Sequence, residues 1–291
     1  MTSAPASPVP QAAPPLSSQV TVLGARTHLW EYGDPSGPPL LLVHGFRGDH
    51  HGLELIAQRL PGFRVIVPDL PGFGISEAFP AHQHDLAGYA AWLNALVAEL
   101  GLGRFFVLGH SFGSLVVSAA ISSGLSPERT VLINPIAAPA LAGPKRLMTK
   151  LAVLYYRAGA ALPGALGSAL LANPLIVRVM SETMAKTREP ELRAWIHDQH
   201  DRYFSLFSDR RTVSDAFDAS ISATVRQFAP ALTAPTLIIA ADRDDITPLA
   251  ATLALRRELA DAELRIVPGV GHLIHYEAPD DAAAWITDFL A

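Results

Sequence analysis

Ser111 stands in the pentapeptide Gly109-His110-Ser111-Phe112-Gly113, between the apolar run Phe105-Phe106-Val107-Leu108 and a helix-like stretch over 112–122. A strand, a tight turn and a helix form the setting in which a serine Oγ is lifted out of a sheet as a nucleophile. Glycines at 109 and 113 remove Cβ atoms that would collide in so tight a turn, and the strain falls on Ser111. The helix after it aims its first N–H groups at the place where negative charge would develop. A serine hydroxyl is a weak nucleophile at neutral pH and needs a base, which in turn needs an orienting carboxylate. In 266-IVPGVGHLIHYEAPDD-281 a strand ends in a Pro/Gly loop that presents His272. The strand in 236-TLIIAADRDDITPL-249 ends in a loop carrying Asp242, Asp244 and Asp245. Serine, aspartate and histidine thus follow one another past the C-terminal ends of three strands, where open α/β sheets place their sites.

The elements that must hold these residues follow from the apolar pattern. Leu40–Val43, Val65–Val67, Phe105–Leu108, Thr130–Ile133, Thr236–Ile239 and Leu264–Val267 read as strands. Most are apolar on consecutive residues, as in strands covered on both faces. Asp85–Leu100, Leu249–Leu259 and Asp280–Leu290 read as helices, the first ended by Gly101. Alternating strands and helices with right-handed crossovers predict an α/β fold, a doubly wound, mostly parallel sheet. From Pro135 to about Phe228 no strand is predicted, so residues 135–228 read as a helical insertion between core segments 20–134 and 229–291.

Composition narrows the function classes. A net charge of −5 is the wrong sign for a nucleic-acid protein. The chain has no cysteine, which excludes disulfides, cysteine nucleophiles and zinc-thiolate sites and is in keeping with the cytoplasm. Residues 1–19 hold five prolines and no charge, and read as a disordered Ala/Pro-rich tail rather than a secretory signal. Residues 158–177 are uncharged, yet Pro163, Asn173 and Pro174 interrupt them, so no membrane span is expected there.

Taken together, 43-VHGFRG-48, 69-DLPGFGIS-76, 109-GHSFG-113, 241-ADRDDITP-248 and 271-GHLIHYEAP-279 resemble the α/β-hydrolase superfamily in its lidded serine hydrolase form. The resemblance implies the α/β-hydrolase fold with residues 135–228 as a cap, Ser111 as nucleophile and His272 as general base. In the family's acid loop the carboxylate stands four residues before a proline, so Pro248 selects Asp244. Asn134 occupies a variant position for that acid. The resemblance also implies an oxyanion hole of two backbone N–H groups, Phe46 in the His44-Gly45-Phe46 motif and Phe112 after the nucleophile, with both phenyl rings flanking an acyl pocket. His44 braces its loop, Gly45 permits the close turn, and His110 packs beside the elbow. The implied reaction is hydrolysis of a carboxylic ester of a small to medium apolar molecule, with no cofactor and no metal. The same residues resemble those of carbon–carbon bond hydrolases, cofactor-free haloperoxidase-like perhydrolases and a ligand-binding receptor that keeps its triad. Serine at 111 argues against the dehalogenase and epoxide-hydrolase branches, which need a carboxylate nucleophile.

Two features stand apart. His50-His51, His82-x-His84 and His197-x-x-His200 lack a third spaced metal ligand and read as surface histidines. The insertion carries net charge +4 against −9 for the remainder, with no acidic residue between Glu128 and Glu182. Cationic amphipathic segments bind anionic lipid surfaces. The alternative, favoured here, is a lid whose charges are solvated and whose apolar side covers the pocket. The expected partner is a small-molecule substrate.

Overall fold

The computed structural model describes residues 14–139 and 146–291, side chains of 146–148 excepted. Its strands are β1 (Leu16–Val22), β2 (Ala25–Gly33), β3 (Pro39–Val43), β4 (Arg64–Pro68), β5 (Phe106–His110), β6 (Arg129–Ile133), β7 (Thr236–Ala241) and β8 (Ala262–Val267). They form one sheet in the order β1-β2-β4-β3-β5-β6-β7-β8. From β4 to β8 all neighbours are parallel, while β2 runs antiparallel to both β1 and β4.

Helices α1 (His51–Ala57), α2 (Leu86–Glu99) and α3 (Phe112–Ser122) follow β3, β4 and β5. After β6 come α4 (Arg146–Ala161), α5 (Gly164–Leu171), α6 (Pro174–Met184), α7 (Pro190–Tyr203) and α8 (Arg210–Ser222). A 3-10 turn over Val225–Ala231 leads into β7, and α9 (Leu249–Glu258), α10 (Ile274–Glu277) and α11 (Pro279–Leu290) complete the chain. The expected helical insertion is thus the run α4–α8.

Successive strand residues enter opposite cores. Leu41, Val43, Ile66 and Val107 pack with Trp92, Leu93 and Leu96 of α2 and Leu115 and Val116 of α3. Leu40, Leu42, Val65, Val67 and Leu108 pack with Leu53 and Ile56 of α1 and Ile286 and Phe289 of α11. This two-sided burial explains the consecutive apolar residues. Each buried leucine among them is worth about 2–5 kcal/mol against truncation to alanine.

The expected tail is shorter than its composition implied. Leu16, Ser17, Ser18 and Gln19 belong to β1, paired with Glu31, Trp30, Leu29 and His28. β1 is a mostly exposed edge strand, so backbone pairing rather than apolar side chains holds it, and serines are tolerated. Its turn into β2 has two residues, Leu23 and Gly24, both at positive φ (50° and 81°), the geometry that suits the twist of a hairpin. Residues 1–13 lie outside the described residues.

Candidate active site

Ser111 links β5 to α3 and holds φ 53°, ψ −116°, a backbone state that costs energy for any residue with a Cβ. The turn closes only because its neighbours are glycines. A Cβ on Gly109 would lie 2.5 Å from the Gly113 carbonyl oxygen, and one on Gly113 would lie 2.1 Å from Val43 O. Gly109 therefore clears the elbow's return, whereas Gly113 lets α3 start hard against the end of β3. The Ser111 N–H donates to Ile133 O at 3.0 Å, anchoring the elbow to β6.

His272, in the loop after β8, reaches Ser111 Oγ with Nε2 at 2.8 Å. Its Nδ1 lies 2.8 Å from Asp244 Oδ2. Of the three aspartates after β7, Asp244 is the one on His272; Asp242 accepts from Gly269 N–H and Asp245 pairs with Lys186. Asp244 Oδ1 accepts the N–H groups of Ile246 (2.7 Å) and Thr247 (2.9 Å), and Oδ2 also accepts from Thr247 Oγ1. Burial alone would raise the pKa of this carboxyl, but His272 and the Thr247 donors outweigh it and hold the group well below the usual carboxylate range. A permanent carboxylate fixes His272 with Nδ1 as donor and Nε2 free to accept the serine proton.

Asn134 completes this end of the site. Past the end of β6, at φ 45°, it donates from Nδ2 to Asp244 Oδ2 at 2.7 Å. The residue at the variant acid position is thus a ligand of the acid itself.

The loop after β3 lies against the elbow: a Cβ on Gly45 would be 3.3 Å from Ser111 Cβ. Gly48 N–H donates to Gly45 O (3.1 Å), closing a turn in which the Phe46 N–H is left out of the internal bond. Phe112 opens α3, so its N–H has no carbonyl one turn back. His44 braces the loop, donating from Nδ1 to Gly45 O (2.8 Å) and accepting Leu70 N–H at Nε2 (2.9 Å). Burial lowers its pKa, in keeping with the neutral ring these bonds require. The Phe46 ring lies 5.4 Å from Tyr156 and 5.8 Å from Phe217, both from the insertion, and 6.0 Å from Phe73. The Phe112 ring does not flank this cluster as expected. It is fully buried against Tyr89, because the first turn of α3 points it into the core beside α2.

Arg47, a residue without an assigned role in the sequence, is buried at φ 59°. Its guanidinium donates to Phe204 O (3.0 Å), Leu171 O (2.8 Å), Tyr156 Oη (3.3 Å) and Ser205 Oγ (3.3 Å), all in the insertion. Four further hydrogen bonds, at two places, hold the insertion. Gly74 N–H donates to Leu206 O and Ser208 N–H to Gly72 O, and the backbone N–H groups of Lys186 and Thr187 donate to Glu277. Ser111, Asp244 and His272 are 8%, 7% and 6% exposed.

Several histidines expected at the surface are buried: His50, His84, His197 and His200. Each has a polar partner that permits burial, which no local pattern reveals. His50 meets Asp69, His84 meets Tyr89, and His197 and His200 share Ser181 Oγ. Asp49, His50 and His51 also lie close together. The two rings are tilted by 37° with centroids 3.9 Å apart, and their Nδ1 atoms are engaged by carboxylates, that of His50 by Asp69 and that of His51 by Asp49. His110 sits beside the elbow, its Nε2 3.3 Å from His272 O, and burial with neighbouring His272 pushes its pKa down to about 3.

A serine hydroxyl, an imidazole and a buried carboxylate in series, with two backbone N–H groups beside the serine, form an arrangement able to attack a carbonyl carbon. The chain is similar to several known proteins. N-formylmaleamate deformylase of Pseudomonas putida is 27% identical over 279 residues, covering 93% of this chain and 95% of that one. Lipase 1 of Psychrobacter immobilis is 25% identical over 268 residues, 87% of this chain and 77% of the lipase. An esterase from Exiguobacterium antarcticum superposes with a TM-score of 0.78 at 20% identity, covering 94% of this chain and 99% of the esterase, which speaks for the fold. The signature of the Alpha/beta hydrolase family matches residues 40–285, from β3 into α11, and with that span the chain belongs to the alpha/beta hydrolase family.

Proposed function

We propose that the chain is a serine hydrolase that cleaves a carboxylic ester, or a related acyl bond, of a small to medium apolar substrate through an acyl-enzyme. The observation that carries this reading is the unbroken series Ser111 Oγ, His272, Asp244, with both links at 2.8 Å. His272 takes the proton of Ser111 as Oγ attacks the carbonyl carbon. The Phe46 and Phe112 N–H groups stabilise the oxyanion, and His272 returns the proton to the leaving alcohol. Water, deprotonated by the same imidazole, then hydrolyses the acyl-enzyme. Asp244 stays ionised and stabilises the imidazolium that forms in each step. The insertion acts as a cap, and its Tyr156 and Phe217 with Phe46 and Phe73 supply an apolar wall for the acyl or alcohol part.

A fluorophosphonate probe tests the chemistry, with Ser111→Ala as control. Labelling of the wild type and none of the variant is expected; an unlabelled wild type overturns the reading. p-Nitrophenyl esters of graded chain length then locate the preferred acyl group. An N-formyl amide belongs in the same panel because of the deformylase among the relatives.

A further inference from the structure

The sequence suggested a lid with its apolar side turned inward, yet much of that side faces out. Leu154 is 65% exposed, Leu166 63%, Leu175 76% and Val179 64%, and Leu151 and Leu162 are exposed beside them. On α4 the outward residues Lys150, Leu154, Arg157 and Ala161 recur every three to four positions, one face of a helix. Tyr156, on the other side of the same helix, is buried on Phe217. α4 packs on α5, and α6 follows α5 after only Ala172 and Asn173 while packing on α7, so the outward residues lie on helices that follow one another in the chain. This face goes beyond the proposed chemistry, since nothing in the reaction requires it.

Charge decides what it fits. No aspartate or glutamate occurs between Glu128 and Glu182, while Lys150 and Arg157 are exposed among the leucines of α4. Exposed leucine and valine with basic neighbours are what an interfacial helix presents to the headgroup boundary of an anionic bilayer. A second copy of the chain fits less well. Two-fold pairing would set like charges near one another, and the exposed face lacks the aromatic residues typical of interface cores. A membrane span fits less well too. An 18-residue stretch within Gly164–Met184 has a mean hydropathy of 1.3, but the run breaks into α5 and α6 where Asn173 caps α6 through the Leu175 and Ile176 N–H groups. We propose that the exposed leucines, valine and basic residues of α4, α5 and α6 dock on an anionic lipid surface.

Co-sedimentation of the full chain with vesicles tests this. One set is pure phosphatidylcholine and the other contains about a third phosphatidylglycerol. The protein is expected to pellet with the anionic vesicles at least about tenfold more than with the neutral ones, and to be released by high salt. Lys150→Glu/Arg157→Glu should reduce pelleting to the neutral level, and Leu166→Glu/Leu175→Glu should abolish it. All four side chains are exposed, so circular dichroism should stay unchanged. A wild type that stays in the supernatant with both vesicle types overturns the proposal. So does pelleting that neither double variant alters. A dimer in sedimentation velocity that Leu175→Glu dissolves, without vesicle binding, assigns the face to a second copy instead.

Discussion

Asn134 Nδ2 and His272 Nδ1 donate to the same atom, Asp244 Oδ2, at 2.7 and 2.8 Å. The amide shares the orienting oxygen, and in the proposed reaction it would hold that oxygen in place while the imidazole moves its proton. Asn134→Ala is expected to lower kcat by about 10- to 150-fold, the worth of one hydrogen bond to a buried charge, with KM little changed. Asn134→Asp should cost more at neutral pH, because two carboxylates would face one another, and its activity should recover as one of them is protonated. Steady-state kinetics over pH with a p-nitrophenyl ester checks both.

Ser111, His272 and Asp244 act as a unit in the proposed reaction. Ser111→Ala should reduce kcat by on the order of 10⁴ or more, and Ser111→Ala/His272→Ala should be no slower than the single variant. Additive losses in a double-mutant cycle would show that His272 does not work through Ser111.

Gly113→Ala places a methyl group 2.1 Å from Val43 O, on backbone that β3 pairing holds still. The variant should lose more than about 3 kcal/mol and melt roughly 5–10 °C lower. Gly62→Ala, whose added Cβ meets nothing within 4 Å, should melt near the wild type. Differential scanning fluorimetry separates the two.

Acid should unfold the protein through its buried histidines. Burial pushes the pKa values of His84 and His200 down to about 4 and that of His110 to about 3, and lowers that of His275 as well. These rings are neutral when folded, and the unfolded chain takes up their protons from about pH 6.5 downward. Stability is therefore fully present above that pH. Each such histidine removes about 1.4 kcal/mol per pH unit below it, until its own folded pKa is reached. Asp244, whose pKa is depressed, adds its loss only below the ordinary aspartate range, near pH 4. Urea titrations between pH 7.5 and 4.5 should show a midpoint falling steeply below pH 6.5. A flat profile would mean that the histidines are protonated inside the fold.

The parallel strands were legible because burial on both faces leaves an apolar run, and Ser111, Asp244 and His272 because each follows such a run in a short signature. β1 and β2 were not, since an edge strand such as Leu16-Ser17-Ser18-Gln19 is held by backbone bonds that composition does not record. Asn134 was legible only as the occupant of a variant acid position, because its bond to Asp244 spans 110 positions. Arg47 lay in plain view within a quoted motif, but its partner at Phe204 is 157 positions away. The buried histidines show the same limit, because a polar residue reads as exposed until its partner is known.

Arg47 has a mechanical consequence. Its cation rests on four neutral acceptors contributed by the insertion, one residue from Phe46. Swinging the whole insertion open would either strip all four bonds at once or drag the Phe46 loop with it, so in the proposed reaction a door hinged there would disturb the site with every opening. Traffic should instead pass by local breathing of single helices around a pivot that stays shut, and the rate of product escape should follow the looseness of those helices, not the length of any hinge.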